Sequence, residues 1–273
     1  MSALIMIQGT SASAGKTFLS AALCRLLAEE GYKVAPFCVQ SGREMVPLPG
    51  GGEIGWSQYM QAEAAGSTAV SEMNPLLLKT ISDTAYEVVF CGKNMGEMTL
   101  KEYRSFLSTA FNEICAALTV LRQNYDVVVV EGVNTPVELH QPELDLANMR
   151  LAAEINAPVL LVTDIDRGGM FAYVVGTQAL LQQHQQQLIK GVVVNRFRGF
   201  KDKLQGGLTM LEELIKKPII GVLPYLNNIS LQPPLVMSAE NQKNRQQAYV
   251  LLSQALRENL DIKFILELIQ QKK

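Results

Sequence analysis

Apolar residues along this chain fall into two alternating patterns. Short continuous runs, at residues 4–7, 127–130, 158–162 and 192–194, mark strands buried on both faces. Between them apolar positions recur at helical spacing, as in Phe18, Leu19, Ala22, Leu23, Leu26 and Leu27, after which Gly31 can end a helix. The same reading predicts further strands over 32–39, 87–91, 126–130, 158–163, 191–194 and 218–223. It predicts helices over 53–66, 100–122, 145–155, 171–187 and 208–215. Alternation of this kind predicts an α/β fold, a mostly parallel β-sheet with helices on both faces. Residues 41–101 are expected as an excursion beside the sheet, and the tail from Glu240 as two polar-rich helices. The division expected is one α/β domain over 1–232 and a helical tail over 233–273 that packs on it.

The first strand runs into Gly9-Thr10-Ser11-Ala12-Ser13-Ala14-Gly15-Lys16-Thr17. A loop of small residues between a buried strand and a helix is the architecture of a P-loop NTPase. Its backbone N–H groups and the helix N-terminus face phosphates, a lysine reaches a terminal phosphate, and a hydroxyl ligates Mg²⁺. The strict G-x-x-x-x-G-K-[ST] pattern fails by one residue, because Thr10 holds the first glycine position and the glycine is Gly9. The strand-loop-helix setting and Gly15-Lys16-Thr17 still predict nucleotide binding.

In an open parallel sheet, ligands bind beyond the carboxyl ends of the strands. Glu131 follows the valine run there, in position to hold Mg²⁺ directly or through water. The segment Asp164-Ile165-Asp166-Arg167-Gly168-Gly169 ends the next apolar run, and either joins the site or forms a self-paired loop. His140 and His184 lack metal-ligand spacing and are expected at the surface. Cys38 ends a strand near the site and is expected to be a buried bystander thiol.

Composition narrows the class further. Hydrophobic residues make up 48%, charged residues 18%, and the net charge is −2, which suggests no nucleic-acid surface. The four cysteines are dispersed without a C-x-x-C, so neither a zinc site nor a disulfide framework is indicated. No apolar run is long enough to span a membrane, and the N-terminal run leads straight into the phosphate loop. A cytoplasmic protein is the expectation.

Longer motifs carry a resemblance. Gln8-Gly9-Thr10-Ser11, Gly51-Gly52-Glu53-Ile54-Gly55 with Gln58 and Gln61-Ala62-Glu63-Ala64-Ala65-Gly66, Met73-Asn74-Pro75-Leu76-Leu77-Leu78-Lys79 and Ser82-Asp83-Thr84 resemble cobyric acid synthase. So do Asp145-Leu146-Ala147-Asn148-Met149, Asp164 to Gly169 and Asn195-Arg196-Phe197-Arg198-Gly199. The match is to that enzyme's N-terminal ATP-binding domain over about residues 4 to 226, a domain that looks like dethiobiotin synthetase in fold. The resemblance implies a ligase of cobalamin biosynthesis. A substrate carboxylate takes the γ-phosphoryl group of ATP, and ammonia then displaces phosphate. By that analogy Lys16, Glu131 and Asp166 are catalytic. Gly9, Thr10, Ser11, Ser13, Ala14, Gly15, Lys16 and Thr17 hold the phosphates, with Asn195, Pro224 and Tyr225 at the adenine. Thr17, Glu53 and Glu131 bind Mg²⁺, and Cys38, Gln40, Ser41, Lys79 and Arg167 face the substrate. The partners implied are a small-molecule carboxylate and a separate glutaminase chain, in a homodimer.

The departures from the family fall on one side of the site. Ser13 stands where the loop usually carries aspartate, and Phe37-Cys38-Val39-Gln40-Ser41-Gly42 where Phe-Lys-Pro-Gln-Asn-Met is usual. Glu131-Gly132-Val133-Asn134-Thr135-Pro136 replaces Glu-Gly-Ala-Gly-Ser-Pro, and the Asn-Leu-Arg-Asp-Arg stretch after it is not kept. Because the sequence ends soon after the ATP-binding region, the family's C-terminal amidotransferase domain is expected to be missing. The expectation is a stand-alone ligase with a kept nucleotide half and a rewritten acceptor half. The alternatives are a dethiobiotin synthetase-like cyclo-ligase and a non-catalytic nucleotide-binding partner subunit.

Overall fold

The computed structural model describes residues 2–42, 44–82, 85–137, 145–227, 229, 231, 233 and 238–270. In chain order the elements begin with β1 (Ala3–Gly9), α1 (Lys16–Glu29), β2 (Val34–Phe37), β3 (Gln40–Ser41), β4 (Met45–Pro47), β5 (Glu53–Gly55) and α2 (Trp56–Ala64). Next come β6 (Leu76–Ser82), β7 (Ala85–Phe90), β8 (Lys93–Thr99), α3 (Leu100–Asn124), β9 (Val127–Glu131), α4 (Met149–Glu154) and β10 (Val159–Asp164). The chain continues through α5 (Met170–Leu180), α6 (Gln183–Leu188), β11 (Ile189–Phe197), α7 (Gln205–Ile215), β12 (Ile219–Pro224), α8 (Ala239–Asn259) and α9 (Ile262–Gln270).

The central sheet has six strands in the order β12-β11-β10-β1-β9-β2, every pair parallel. Its strands are apolar throughout because both faces are covered, and the pleat sends successive side chains to opposite layers. Leu4, Met6, Val128, Val130, Val159 and Leu161 pack with α3 and α4. Ala3, Ile5, Ile7, Val127, Val129 and Leu160 pack with α1, α8 and α9. The strands run the same way, so their carboxyl ends, including Gly9, Glu131, Asp164 and Asn195, share one edge.

Several elements differ from the expectation. The excursion after Ser41 builds a second sheet of its own, in the order β3-β6-β7-β8, with β4 and β5 as a separate hairpin. Strand β8 has only Met98 shielded and β6 leaves the core after Leu78, so neither carries a hydrophobic signature along its length. The expected helix over 53–66 begins at Trp56, because residues 53–55 pair with β4. The one over 145–155 shortens to α4, since the Asn148 N–H donates to the Asp145 carboxylate (2.8 Å) in a turn before it. The helix over 171–187 is two, α5 and α6, separated by extended backbone at Leu181 and Gln182, where Gln182 and Gln185 form a capping box. The tail's second helix is not polar-rich: Ile265, Leu268 and Ile269 of α9 are buried against the sheet.

Among the described residues, no helix is long and apolar enough to cross a membrane, and no group of His, Cys, Asp and Glu has metal-site geometry. His184 is exposed, and His140, Asp83 and Thr84 lie outside the described residues.

Candidate nucleotide-binding site

The loop between β1 and α1 is tied to the neighbouring strand. The Thr10 N–H donates to the Val162 carbonyl (2.9 Å), and the Thr10 hydroxyl to that of Thr163 (3.1 Å). The displaced glycine has a steric reason: a Cβ on Gly9 would lie 2.9 Å from the Ser11 carbonyl and 3.0 Å from Lys16 Cγ. Gly15 starts α1 with φ +103°, and a Cβ there would run into the Asn195 amide. That amide also donates to the Ala14 carbonyl (2.9 Å), so β11 closes over the loop.

Lys16 is 5% exposed. Its ammonium donates to the Ser11 and Ala12 carbonyls (3.2 Å each) and to the Asn134 carbonyl (2.7 Å). Burial holds its pKa below the ordinary lysine range, and the nearby Glu131 and Cys38 offset this in part. Asn134 reaches it from a left-handed conformation, φ +51°. Asparagine is one of the few residues besides glycine that enter this region readily. The Asn148 amide holds the same segment, accepting from the Val133 N–H (2.9 Å) and donating to the Thr135 carbonyl (3.1 Å).

Glu131 ends β9 with 6% exposure. The Thr17 hydroxyl donates to its Oε1 (2.6 Å) and the Gln61 amide to its Oε2 (2.5 Å). Burial pushes the carboxyl above its ordinary pKa, while Thr17, Gln61 and Lys16 pull it back. Cys38 follows β2 abreast of this point, since Phe37 pairs with Val130. Its thiol donates to the Gln40 carbonyl (3.4 Å), and burial, then Glu131, push it up to about 12. The Ser41 hydroxyl donates to Gln58 (3.0 Å), and the Gln40 side chain accepts from Tyr103 (3.2 Å).

The acids of β10 are split. Asp164 is buried, accepts from Arg196 Nη1 (2.7 Å) and lies 3.5 Å from the exposed Arg167. The same Arg196 nitrogen donates to the Ser13 carbonyl (3.0 Å), linking the loop to Asp164. Asp166 is exposed and pairs with Arg198 (2.8 Å), whose guanidinium stacks on Tyr225 at 3.4 Å. Beside Gly15 lies a cavity of about 250 Å³ lined by Phe18, Asn195, Arg196, Pro224 and Tyr225, with Leu252 and Leu256 of α8 behind it.

The residues predicted from sequence are thus only partly brought together, with Asp166, Arg167, Gln40 and Ser41 each engaged with other partners. Thr17, Lys16, Glu131 and Cys38 share one buried neighbourhood, and Asn195, Pro224 and Tyr225 share the cavity. Glu53 stands apart from Thr17 and Glu131 among the described contacts: its carboxylate pairs with Lys79 (2.5 Å), which also lies 4.0 Å from Glu87. Gln61, Asn134, Asn148 and Arg196 were not singled out as site residues from the sequence. For Arg196 the signal was its place beside Asn195 at a strand end; for Gln61 it was its i, i+3 spacing from Gln58.

Comparison with known proteins agrees with this geometry. Residues 5–233 match the model of the CbiA family, described as the CobQ/CobB/MinD/ParA nucleotide binding domain. The chain is similar to a cobyric acid synthase of Desulforamulus reducens, 43% identical over 243 residues, which cover 88% of this chain and 47% of the relative. It is similar also to one of Vibrio parahaemolyticus, 40% identical over 243 residues, 89% of this chain and 50% of the relative. The chain therefore spans about half the length of these curated relatives. In fold it is similar to the cell division protein MinD of Aquifex aeolicus, with a TM-score of 0.51, 16% identity and 93% of each chain covered. The buried loop lysine, the strand-end glutamate and the sequence match agree: this chain belongs to the CobQ/CobB/MinD/ParA nucleotide-binding domain family.

Proposed function

We propose that this chain is an ATP- and Mg²⁺-dependent ligase of the cobyric acid synthase type, which activates a carboxylate as an acyl phosphate for amide formation. The observation that carries the reading is the buried Glu131 carboxylate 2.6 Å from the Thr17 hydroxyl, beside the buried Lys16 ammonium. These oxygens fit Mg²⁺, a hard cation that takes a hydroxyl and a carboxylate while keeping several waters. When bound, the metal would neutralise charge on the phosphates. Lys16 would give up carbonyl contacts to reach the β/γ-phosphates, and the cavity lined by Asn195, Pro224 and Tyr225 would take the base. Wrapping the phosphates in N–H groups and one ammonium is mostly positioning and electrostatics, which is what phosphoryl transfer asks of a protein.

In the reaction, a carboxylate oxygen bonds to the γ-phosphorus and the β–γ bridging oxygen leaves with ADP. Ammonia, free or supplied by a glutaminase chain, then attacks the acyl carbon and expels phosphate. That phosphate carries one oxygen from the carboxylate. A ¹⁸O-labelled carboxylate should therefore deliver label to phosphate, and amide formation without transfer would sink the mechanism.

The acceptor is proposed to be smaller or differently charged than a corrinoid carboxylate. Cys38, neutral and buried, stands at the strand end where the family pattern has a lysine, so the second positive charge that lysine would add to that of Lys16 is not supplied there. With cobyrinic acid diamide and ammonia, efficient amidation is not expected. Conversion at roughly 1 s⁻¹ or faster would restore the plain corrinoid assignment. A dethiobiotin synthetase-like reaction finds less support, because the strand-end lysine is replaced and the long motifs are of the cobyric type.

A further inference from the structure

We propose that Gln61 is a positioning residue for this site: its amide fixes the Glu131 carboxylate so that the other oxygen faces Thr17. The inference rests on the Mg-ATP reading above and adds to it a residue from α2, the helix that follows the β4–β5 hairpin.

Glu131 makes one side-chain hydrogen bond through each oxygen, Oε1 to Thr17 and Oε2 to Gln61. Thr17 sits on α1 and would exchange partners when phosphates and metal arrive. Gln61 comes from α2 and depends on neither. Its Nε2 also lies 3.5 Å from the Thr17 main-chain carbonyl, so one amide spans the acid and the start of α1.

The helix that carries Gln61 is anchored on both sides of it. Gln58, three residues earlier on the same face, accepts from the Ser41 hydroxyl (3.0 Å). Glu63, two residues later, is gripped by Arg245 and Tyr249 of α8. Such support is what precise placement of a functional side chain requires. Packing alone does not account for the residue. Gln61 is 0% exposed, and its Oε1 has no hydrogen-bond partner among the described residues. A buried acceptor left unmet is unfavourable, and Met or Leu would fill the same volume without it. Gln58 and Gln61 together also join the Ser41 side of the site to Glu131 through one helix.

The test is Gln61→Met, which keeps the shape and removes the donor. The readout is the Mg²⁺ or Mn²⁺ concentration that half-saturates the ATP-induced rise in Tm, alongside kcat and KM for ATP followed as ADP release. The expected result is a metal requirement raised about tenfold or more, the scale seen when a ligand's supporting partner is lost. ATP binding without metal should stay within about twofold, and kcat should fall with KM for ATP nearly unchanged. A merely structural role would lower Tm and leave the metal requirement as in wild type, and that outcome overturns the proposal. If Gln61→Met does not fold, Gln61→Asn, which withdraws the amide by one methylene, decides by the same readouts. Glu131→Gln runs in parallel. Loss of metal dependence there, with Gln61→Met unchanged, refutes the Gln61 inference alone; no effect in either variant refutes the Mg-ATP reading with it.

Discussion

Truncating Arg245 is the perturbation whose cost the structure defines most fully. Its guanidinium meets Glu63 as a two-point fork, Nε to Oε2 at 2.6 Å and Nη2 to Oε1 at 2.7 Å. The side chains are 6% and 9% exposed, and the cation also sits 5.3 Å from the Trp56 ring. Arg245→Met keeps most of the packing volume and leaves the Glu63 carboxylate buried with, among the described residues, the Tyr249 hydroxyl (2.7 Å) as its remaining side-chain partner. Removing one member of a buried pair costs about 3–5 kcal/mol, because the remaining charge is uncompensated. For a chain of this size each kcal/mol moves Tm by about 2–4 °C, so a fall of roughly 10 °C is expected by calorimetry or circular dichroism. Glu63→Gln combined with Arg245→Met removes the stranded charge while keeping an acceptor for Tyr249, and should recover most of the loss. A single-variant shift under about 2 °C, or a double variant no better than the single, would refute the claim that this pair binds α8 to α2.

Three further outcomes are expected. ATP with Mg²⁺ at about a hundred times its Kd should stabilise the protein by about 2.7 kcal/mol; Lys16→Ala should lose nearly all of that shift, and equal responses would remove Lys16 from the nucleotide site. At Asn134, whose φ is +51°, substitution by alanine should cost about 1 kcal/mol in urea unfolding while glycine stays within a few tenths; an alanine variant as stable as wild type would show that the left-handed backbone is not required. Cys38 is an acid whose pKa burial raises to about 12, so the neutral thiol persists well above pH 8 and the thiolate gains tenfold per pH unit until then. Peptide mapping after iodoacetamide at pH 8 should therefore find the half-buried Cys91 and Cys115 labelled well before Cys38, and Cys38 labelled first would contradict its burial.

What the sequence determined by itself is what is local or periodic. The β1-loop-α1 unit is continuous chain, so its small residues and Gly15-Lys16-Thr17 stand in reading order, and the apolar runs declare strands covered on both faces. Parallel strands then bring Glu131, Asp164 and Asn195 to one edge whatever their order in the sheet. Tertiary structure alone decided which polar groups meet there. Gln61 and Glu131 are 70 residues apart, and Arg196 and Ser13 are 183 apart. A hydrophobic pattern reports that a face is buried but not what covers it, and a buried glutamine in a mixed helix reads like a solvated one. Of the second sheet only the strand over 87–91 was expected, and β8 escaped for the converse reason: it is a strand by its backbone pairing with β7, while its side chains, Met98 aside, remain exposed. Backbone hydrogen bonds leave no mark in the order of apolar and polar residues; only burial does, and the apolar strands around Glu131 carry it in both directions.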